Sequence, residues 1–205
     1  MQYFILDDFL TESNANYIID YFKTANWEYG NRPEDNCPPF WKSTLKDTPI
    51  FPIFKDKIFS LWKEVYISSI FANGQTKGLD STPHFDKSSR QELEIILGNR
   101  DDINEYNDYT FMYYVCMEKK WDPSWGGETI LLTEKDNGKV FLPKYNRAVV
   151  IDGRIQHYGK GPSHLYFSMR INVVCRLLMK PQTFARTELE RIWTEDVWPS
   201  WPLYK

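Results

Sequence analysis

Two stretches near the start of the chain repeat apolar residues at helical spacing. Ala15, Ile18, Ile19 and Phe22 follow the candidate caps Thr11 and Ser13 and predict a first helix. Phe54, Ile58, Leu61, Val65 and Ser69 share one face and predict a second helix over residues 52–71. The proline-rich run NRPEDNCPPF between them reads as a loop. Beyond Phe71 the texture changes. Short β-type runs at 78–86, 109–117, 128–132, 140–142, 147–151, 155–158 and 165–178 are separated by turn residues. That pattern suggests an all-β sandwich or jelly roll. Residues 88–108 are strongly charged and read as an insertion over one rim, with a short helix over 91–97. A last helix is predicted over 183–193, followed by an aromatic tail broken by Pro199 and Pro202.

Composition narrows the class. The chain has 205 residues, 42% of them hydrophobic, which suits one globular domain with helical additions. The expected organisation is helical support over 1–74, a jelly-roll core over 75–178, and a C-terminal helix and tail over 179–205. Lys and Arg number 25 against 28 Asp and Glu, a net charge of −3, so no basic excess supports nucleic-acid binding. Aromatic residues reach 17%, which suits a rigid β-rich core or a lined pocket. The longest apolar run, 111–117, is far short of the roughly 20 residues a spanning helix needs, so no membrane partner is expected. The start, MQYFILDDFL, lacks the basic region of a secretory signal. Cys37, Cys116 and Cys175 are odd in number and show no CxxC spacing. They fit a reducing cytoplasm and argue against a disulfide framework or a zinc–thiolate site.

The chemistry concentrates around two of the three histidines. In Thr82-Pro83-His84-Phe85-Asp86, residues two apart on an extended chain point to one face, so His84 and Asp86 set an imidazole beside a carboxylate. That is two thirds of a 2-His-1-carboxylate facial triad, the arrangement that holds non-haem Fe(II) with open positions. Alone, the pair also fits a surface histidine beside a solvated aspartate. His157 follows the apolar run Ala148–Ile151 after a turn at Asp152-Gly153, and is either a third ligand or a hydrogen-bonded strand residue. The run from Tyr166 to Leu178 alternates. Phe167, Met169, Ile171, Val173, Cys175 and Leu177 lie on one side; Ser168, Arg170, Asn172, Val174 and Arg176 lie on the other. An arginine in the middle of such a strand is at least partly buried and needs an anionic partner, either a bound carboxylate or a protein Asp or Glu. Tyr113 and Tyr114 point to opposite faces, and one of them should offer its phenol to a cavity. Gly126-Gly127 marks a tight turn or close backbone approach.

The ordered set His84-x-Asp86, YYVCMEKKWDPSWGGET, FLPKYNRAVVIDG, His157 and Arg170 resembles the Fe(II)/2-oxoglutarate-dependent dioxygenases, in particular their prolyl-4-hydroxylase-like branch. It covers about residues 75–178. The resemblance implies a mainly β fold with flanking α-helices, the double-stranded β-helix (a cupin-like jelly roll). It implies His84, Asp86 and His157 as iron ligands. It implies Arg170 at the distal carboxylate of 2-oxoglutarate, with Tyr114 as a further candidate at that end. Hydroxylases of this branch carry the basic residue fewer positions after the second histidine, where Tyr166 stands here. Arg170-Ile171-Asn172 with Arg176 also resembles the RxN…R pattern of nucleic-acid-demethylating relatives, so Arg176 remains the alternative grip. The implied cofactors are Fe(II), 2-oxoglutarate and O2, with ascorbate as reductant. The implied reaction couples decarboxylation of 2-oxoglutarate, to succinate and CO2, to hydroxylation of a substrate C–H bond. Asp86 matters here, since halogenating relatives have a small residue at that place. The implied substrate is either a peptidyl proline or a small amino-acid-like molecule, and the oligomeric state is not encoded in these patterns. Two other readings use the same residues: a non-catalytic metal- or ligand-binding jelly roll, and a zinc hydrolase.

Overall fold

Strand alternation sets the architecture. The computed structural model describes residues 3–32, 37–133 and 138–180. In chain order its elements are β1 (Tyr3–Leu6), α1 (Glu12–Phe22), β2 (Glu28–Asn31), β3 (Phe40–Thr44), α2 (Ile50–Leu61), β4 (Val65–Gln75), α3 (Arg90–Leu97), β5 (Asn107–Val115), β6 (Thr129–Leu132), β7 (Lys139–Phe141), β8 (Ala148–Asp152), β9 (Gln156–Gly159) and β10 (Arg170–Met179). A large antiparallel sheet runs β1-β8-β5-β10-β4-β3-β2, and a small one runs β7-β6-β9. This is the jelly roll expected from the sequence. Among the described residues, no helix is long and apolar enough to cross a membrane.

Two apolar layers hold the sheets in place. In the first, α1 and α2 press Ile18, Ile19, Phe22, Ile50, Phe54 and Ile58 against one face of the large sheet, including Ile171, Val173 and Cys175 of β10. Each such side chain contributes about 1.5–3 kcal/mol when fully buried. Thr11 caps α1 as its spacing predicts, accepting from the Asn14 backbone N–H at 3.3 Å. In the second layer, Met112, Tyr114, Leu131, Ile151 and Val174 pack between the two sheets. β10 therefore turns its apolar side to the helices and its Arg170, Asn172 and Arg176 side toward the small sheet. The three cysteines are buried, and none of them forms a disulfide.

Three expectations need correction. The second helix stops at Leu61, and residues 65–75 form β4 instead. Ile58, Leu61 and Val65 fit a helical face, but the β-branched and aromatic residues that follow pair along the full length of β10, and tertiary pairing overrides the local period. Residues 78–86 are extended but not a regular strand: they meet β9 through the single bridge His84–His157. The strand expected over 165–178 begins only at Arg170. The short strands β1, β2 and β3 went unrecognised, and the run read as a loop between the first helices contributes its end residues Asn31 and Phe40 to paired strands. The short insertion helix is present as α3, fixed by a capping box between Ser89 and Glu92. The helix expected over 183–193 lies outside the described residues.

Candidate metal centre

β9 and the segment before α3 bring the two histidines together. His84 and His157 exchange backbone hydrogen bonds, both 3.0 Å long, and the Asp86 N–H donates to the Gly153 carbonyl at 3.1 Å. The ring centroids of His84 and His157 lie 4.7 Å apart. One ligand atom from each of His84, Asp86 and His157 falls within 4.8 Å of the others. Asp86 Oδ2 is 3.4 Å from His157 Nε2, and Oδ1 is 3.9 Å from His84 Nε2. His164, by contrast, is exposed in a turn away from them.

The donor set suits a divalent metal. Each imidazole turns Nδ1 to a backbone carbonyl two residues upstream, Thr82 at 2.8 Å and Ile155 at 2.9 Å. A carbonyl only accepts, so Nδ1 carries the proton and Nε2 presents its lone pair toward the carboxylate. Asp86 is itself fixed. Its Oδ1 accepts from Arg176 Nη1 at 2.7 Å, and its Oδ2 accepts from the Thr110 hydroxyl. Burial alone would raise the Asp86 carboxyl. The imidazole of His157, the guanidinium of Arg176 and the Thr110 hydroxyl outweigh it and hold Asp86 well below the usual carboxylate range. Burial pushes the His84 imidazole below its ordinary 6.5, which favours the neutral, ligating form.

These shifts give a signed pH dependence for the metal-free protein. Below pH 6.5 the unfolded chain protonates His84 before the native state does, so stability falls as pH drops. A further loss begins as pH falls through about 3.8, where unfolded Asp86 takes up its proton and native Asp86 does not. Melting temperatures across this range should therefore decline towards acid; a His84→Gln variant that keeps the upper part of the decline would remove His84 as its source.

A glycine positions Asp86. A methyl group at residue 153 would overlap the Asp86 carbonyl oxygen and stand 2.9 Å from Asp108 Cβ. Gly153→Ala should cost about 1–3 kcal/mol through overpacking. It should also weaken metal binding roughly 10- to 100-fold, the usual effect of disturbing a ligand's support. Melting and metal titration read the two effects separately, and unchanged metal affinity would show that the turn does not set the carboxylate.

The same cavity, about 470 Å³, reaches Arg170. Arg170 is 1% exposed, the largest fully buried side chain among the described residues. Its Nε donates to the Gly127 carbonyl at 2.5 Å, Nη1 to Gln75 Oε1 at 2.6 Å, and Nη2 to Thr129 Oγ1 at 2.9 Å. With its amide oxygen turned inward, Asn172 also accepts from Nη1 at 2.8 Å. All these acceptors are neutral, and no carboxylate among the described residues forms an ion pair with Arg170. Gly127 is needed for the approach: its φ is +77°, and a Cβ there would stand 2.9 Å from Arg170 Cδ. Tyr114 is the member of its pair on this side: its phenol donates to Thr129 Oγ1 at 2.8 Å, and the Arg170 guanidinium lies over its ring, 5.7 Å from the centroid. Arg176, the alternative, is committed to Asp86.

Several supporting residues were not singled out from the sequence. Gln75 and Thr129 orient Arg170, and Thr110 holds Asp86. Gln75 ends β4, a strand the sequence pattern did not show, whereas Thr129, in the GGET run, lay beside a recognised motif. Asn31, Arg32, Phe40 and Lys42, on and between β2 and β3, line the cavity, but no α3 residue does. The insertion sits instead at the far end of β10, where Lys180 pairs with Asp102 and Glu105.

No protein-family model matches the chain, and no curated protein matches it in sequence. Solved structures do match in fold. A prolyl hydroxylase from Trichoplax adhaerens, in complex with a hypoxia-inducible-factor oxygen degradation domain peptide fragment, superposes with a TM-score of 0.61 at 13% identity, over 87% of this chain and 83% of that one. A 2OG-Fe(II) oxygenase family oxidoreductase from Burkholderia pseudomallei gives 0.56 at 12% identity, over 85% and 84%. The viral collagen prolyl hydroxylase of Paramecium Bursaria Chlorella virus-1, in its 2OG complex, gives 0.53 at 13% identity, over 87% and 96%.

Proposed function

We propose that this chain, which has the prolyl-4-hydroxylase-like 2-oxoglutarate oxygenase fold, is an Fe(II)/2-oxoglutarate-dependent hydroxylase acting on a peptide or a small amino-acid-like molecule. One observation carries the reading: a fully buried guanidinium with neutral acceptors only, in the cavity that also holds two imidazoles and a carboxylate. Burying an unpaired cation costs several kcal/mol, and a site that keeps one is built to receive an anion. His84, Asp86 and His157 would hold the iron, and Arg170 would set its positive charge opposite the distal carboxylate of 2-oxoglutarate. When bound, iron with 2-oxoglutarate and dioxygen supplies the oxidation, and the cosubstrate leaves as succinate and CO2.

The protein's share is placement. His157 faces Leu131, and Gly159, two residues on and on the same side of β9, faces Thr129. The triad and the guanidinium therefore stand at neighbouring positions along β9, and both line the same cavity. Thr129, Gln75 and Gly127 fix the guanidinium plane, and Tyr114 fixes Thr129. Met112 and Val174 line the cavity with apolar surface that limits water. Arg176 and Thr110 keep Asp86 ionised and aimed at the imidazoles.

A zinc hydrolase would need a general base beside the metal, and Asp86 is the only carboxylate among the described residues lining the cavity. A pure binding module leaves the ligand set and the buried Arg170 without a common purpose. The deciding experiment measures succinate formed from 2-oxoglutarate with iron and ascorbate. Turnover above a His84→Ala control is expected even without substrate; none above that control, across a broad substrate panel, would end the reading.

A further inference from the structure

Charge around the cavity is lopsided. Among the described residues, Arg32, Lys42, Lys87, Arg170 and Arg176 line it against one carboxylate, Asp86. The whole chain carries a net −3, so the positive field is local and the remaining surface is more acidic than the total suggests. Fe(II) and doubly charged 2-oxoglutarate bring equal and opposite charge, so loading the site leaves the surplus in place. Arg176 is answered by Asp86, and on the reading above Arg170 is answered by the cosubstrate.

Lys42 and Lys87 are different. Neither forms an ion pair among the described residues. Each ammonium instead lies over an aromatic ring, Lys42 at 5.1 Å from the centroid of Phe71 and Lys87 at 5.3 Å from that of Phe85. Such contacts are worth about 0.5–1 kcal/mol at exposed sites; they orient a cation without neutralising it. The two stand on different walls. Lys42 projects from β3, in register with Asn73 of β4, whereas Lys87 follows Asp86 on the segment that runs beside β9. Phe85, 49% exposed, adds apolar surface beside the second of them.

Resting on the oxygenase reading, we infer that the substrate is carboxylate-bearing, an acidic peptide segment or a free acidic amino acid, drawn in by Lys42 and Lys87 with its apolar part against Phe71 and Phe85. A nucleic acid shares the sign of charge but brings a row of phosphates that requires a basic track beyond the cavity. The acidic remainder of the molecule opposes one.

Fluorescence anisotropy on the full chain, with Mn(II) and 2-oxoglutarate present, tests this. The probe is a labelled short peptide with a central proline flanked by aspartates. Unlabelled competitors of the same length carry asparagine or lysine flanks; free aspartate, free glutamate and a short oligonucleotide complete the set. The aspartate-flanked peptide should bind about tenfold tighter than its asparagine counterpart at low ionic strength, and the advantage should shrink with salt. Lys42→Glu and Lys87→Glu should each cost the acidic peptide about threefold or more and improve binding of the lysine-flanked one, a gain that misfolding would not give. Displacement by free aspartate or glutamate would identify the amino-acid source; its failure would identify the peptide. Equal binding of the neutral peptide, no binding of any probe, or preference for the oligonucleotide would overturn the inference. Charge-selective binding without succinate formation would overturn the oxygenase reading alone, and succinate formation without charge selectivity would overturn only this inference.

Discussion

Arg170→Met is expected to abolish the stabilisation that 2-oxoglutarate confers on the metal-loaded protein. A ligand at a hundred times its Kd adds about 2.7 kcal/mol to stability, and that increment should disappear. The charge opposite the distal carboxylate would be lost, and a charge-assisted contact is worth about 1.5–3 kcal/mol, so 2-oxoglutarate affinity should fall by roughly one to two orders of magnitude. The unliganded protein should change much less. Methionine gives up the bonds to Gly127, Gln75 and Thr129, but it also relieves the desolvation of a buried cation. These terms offset one another to within about 2 kcal/mol. Thr129 still receives the Tyr114 phenol, and Gln75 still donates to the carbonyls of Leu79 and Gly159. Arg170→Lys should recover only part of the loss, since an ammonium cannot reproduce the fork that Gly127, Gln75 and Thr129 hold in place. Melting with and without 2-oxoglutarate, with an inert divalent metal present, reads the outcome. A variant that keeps its ligand-induced shift would transfer the grip to another cation.

His157→Ala should have the second large effect. It removes one of three donors, so metal affinity should fall by more than the roughly 10- to 100-fold that losing a supporting residue costs. Succinate formation should drop to background. His164→Ala is the matched control: an exposed histidine outside the cluster, expected to change neither metal content nor turnover. Metal content after anaerobic reconstitution decides, and a His157→Ala protein that fills to the wild-type level would dismantle the proposed triad.

What could be read from the sequence, and what could not, follows from how each signal is encoded. Arg170, Asn172 and Arg176 fall on the cavity side because a strand has period two, and ten consecutive residues of β10 make that period visible. His84 and Asp86 share a face for the same reason, although only the bridge to His157 gives the pair a third member. β4 was lost because Ile58, Leu61 and Val65 continue a helical spacing across the real boundary at Trp62; only pairing with β10 breaks it. β1, β2 and β3 span four or five residues each, too few for alternation to rise above chance. The lysines of the cavity wall carry no signal in sequence at all, since an exposed lysine looks the same wherever it stands.

Both arginines of the site belong to one strand. Arg170 and Arg176 lie six positions apart on β10, so their spacing is a property of extended backbone in the middle of a sheet. On the inference above, the residues that would meet a substrate, Lys42, Phe71, Phe85 and Lys87, come from β3, β4 and the segment around Asp86. Cosubstrate handling and substrate choice are thus separable modules. Grafting a foreign β2–β3 hairpin onto this scaffold should redirect what is oxidised without retuning how the oxidant is assembled.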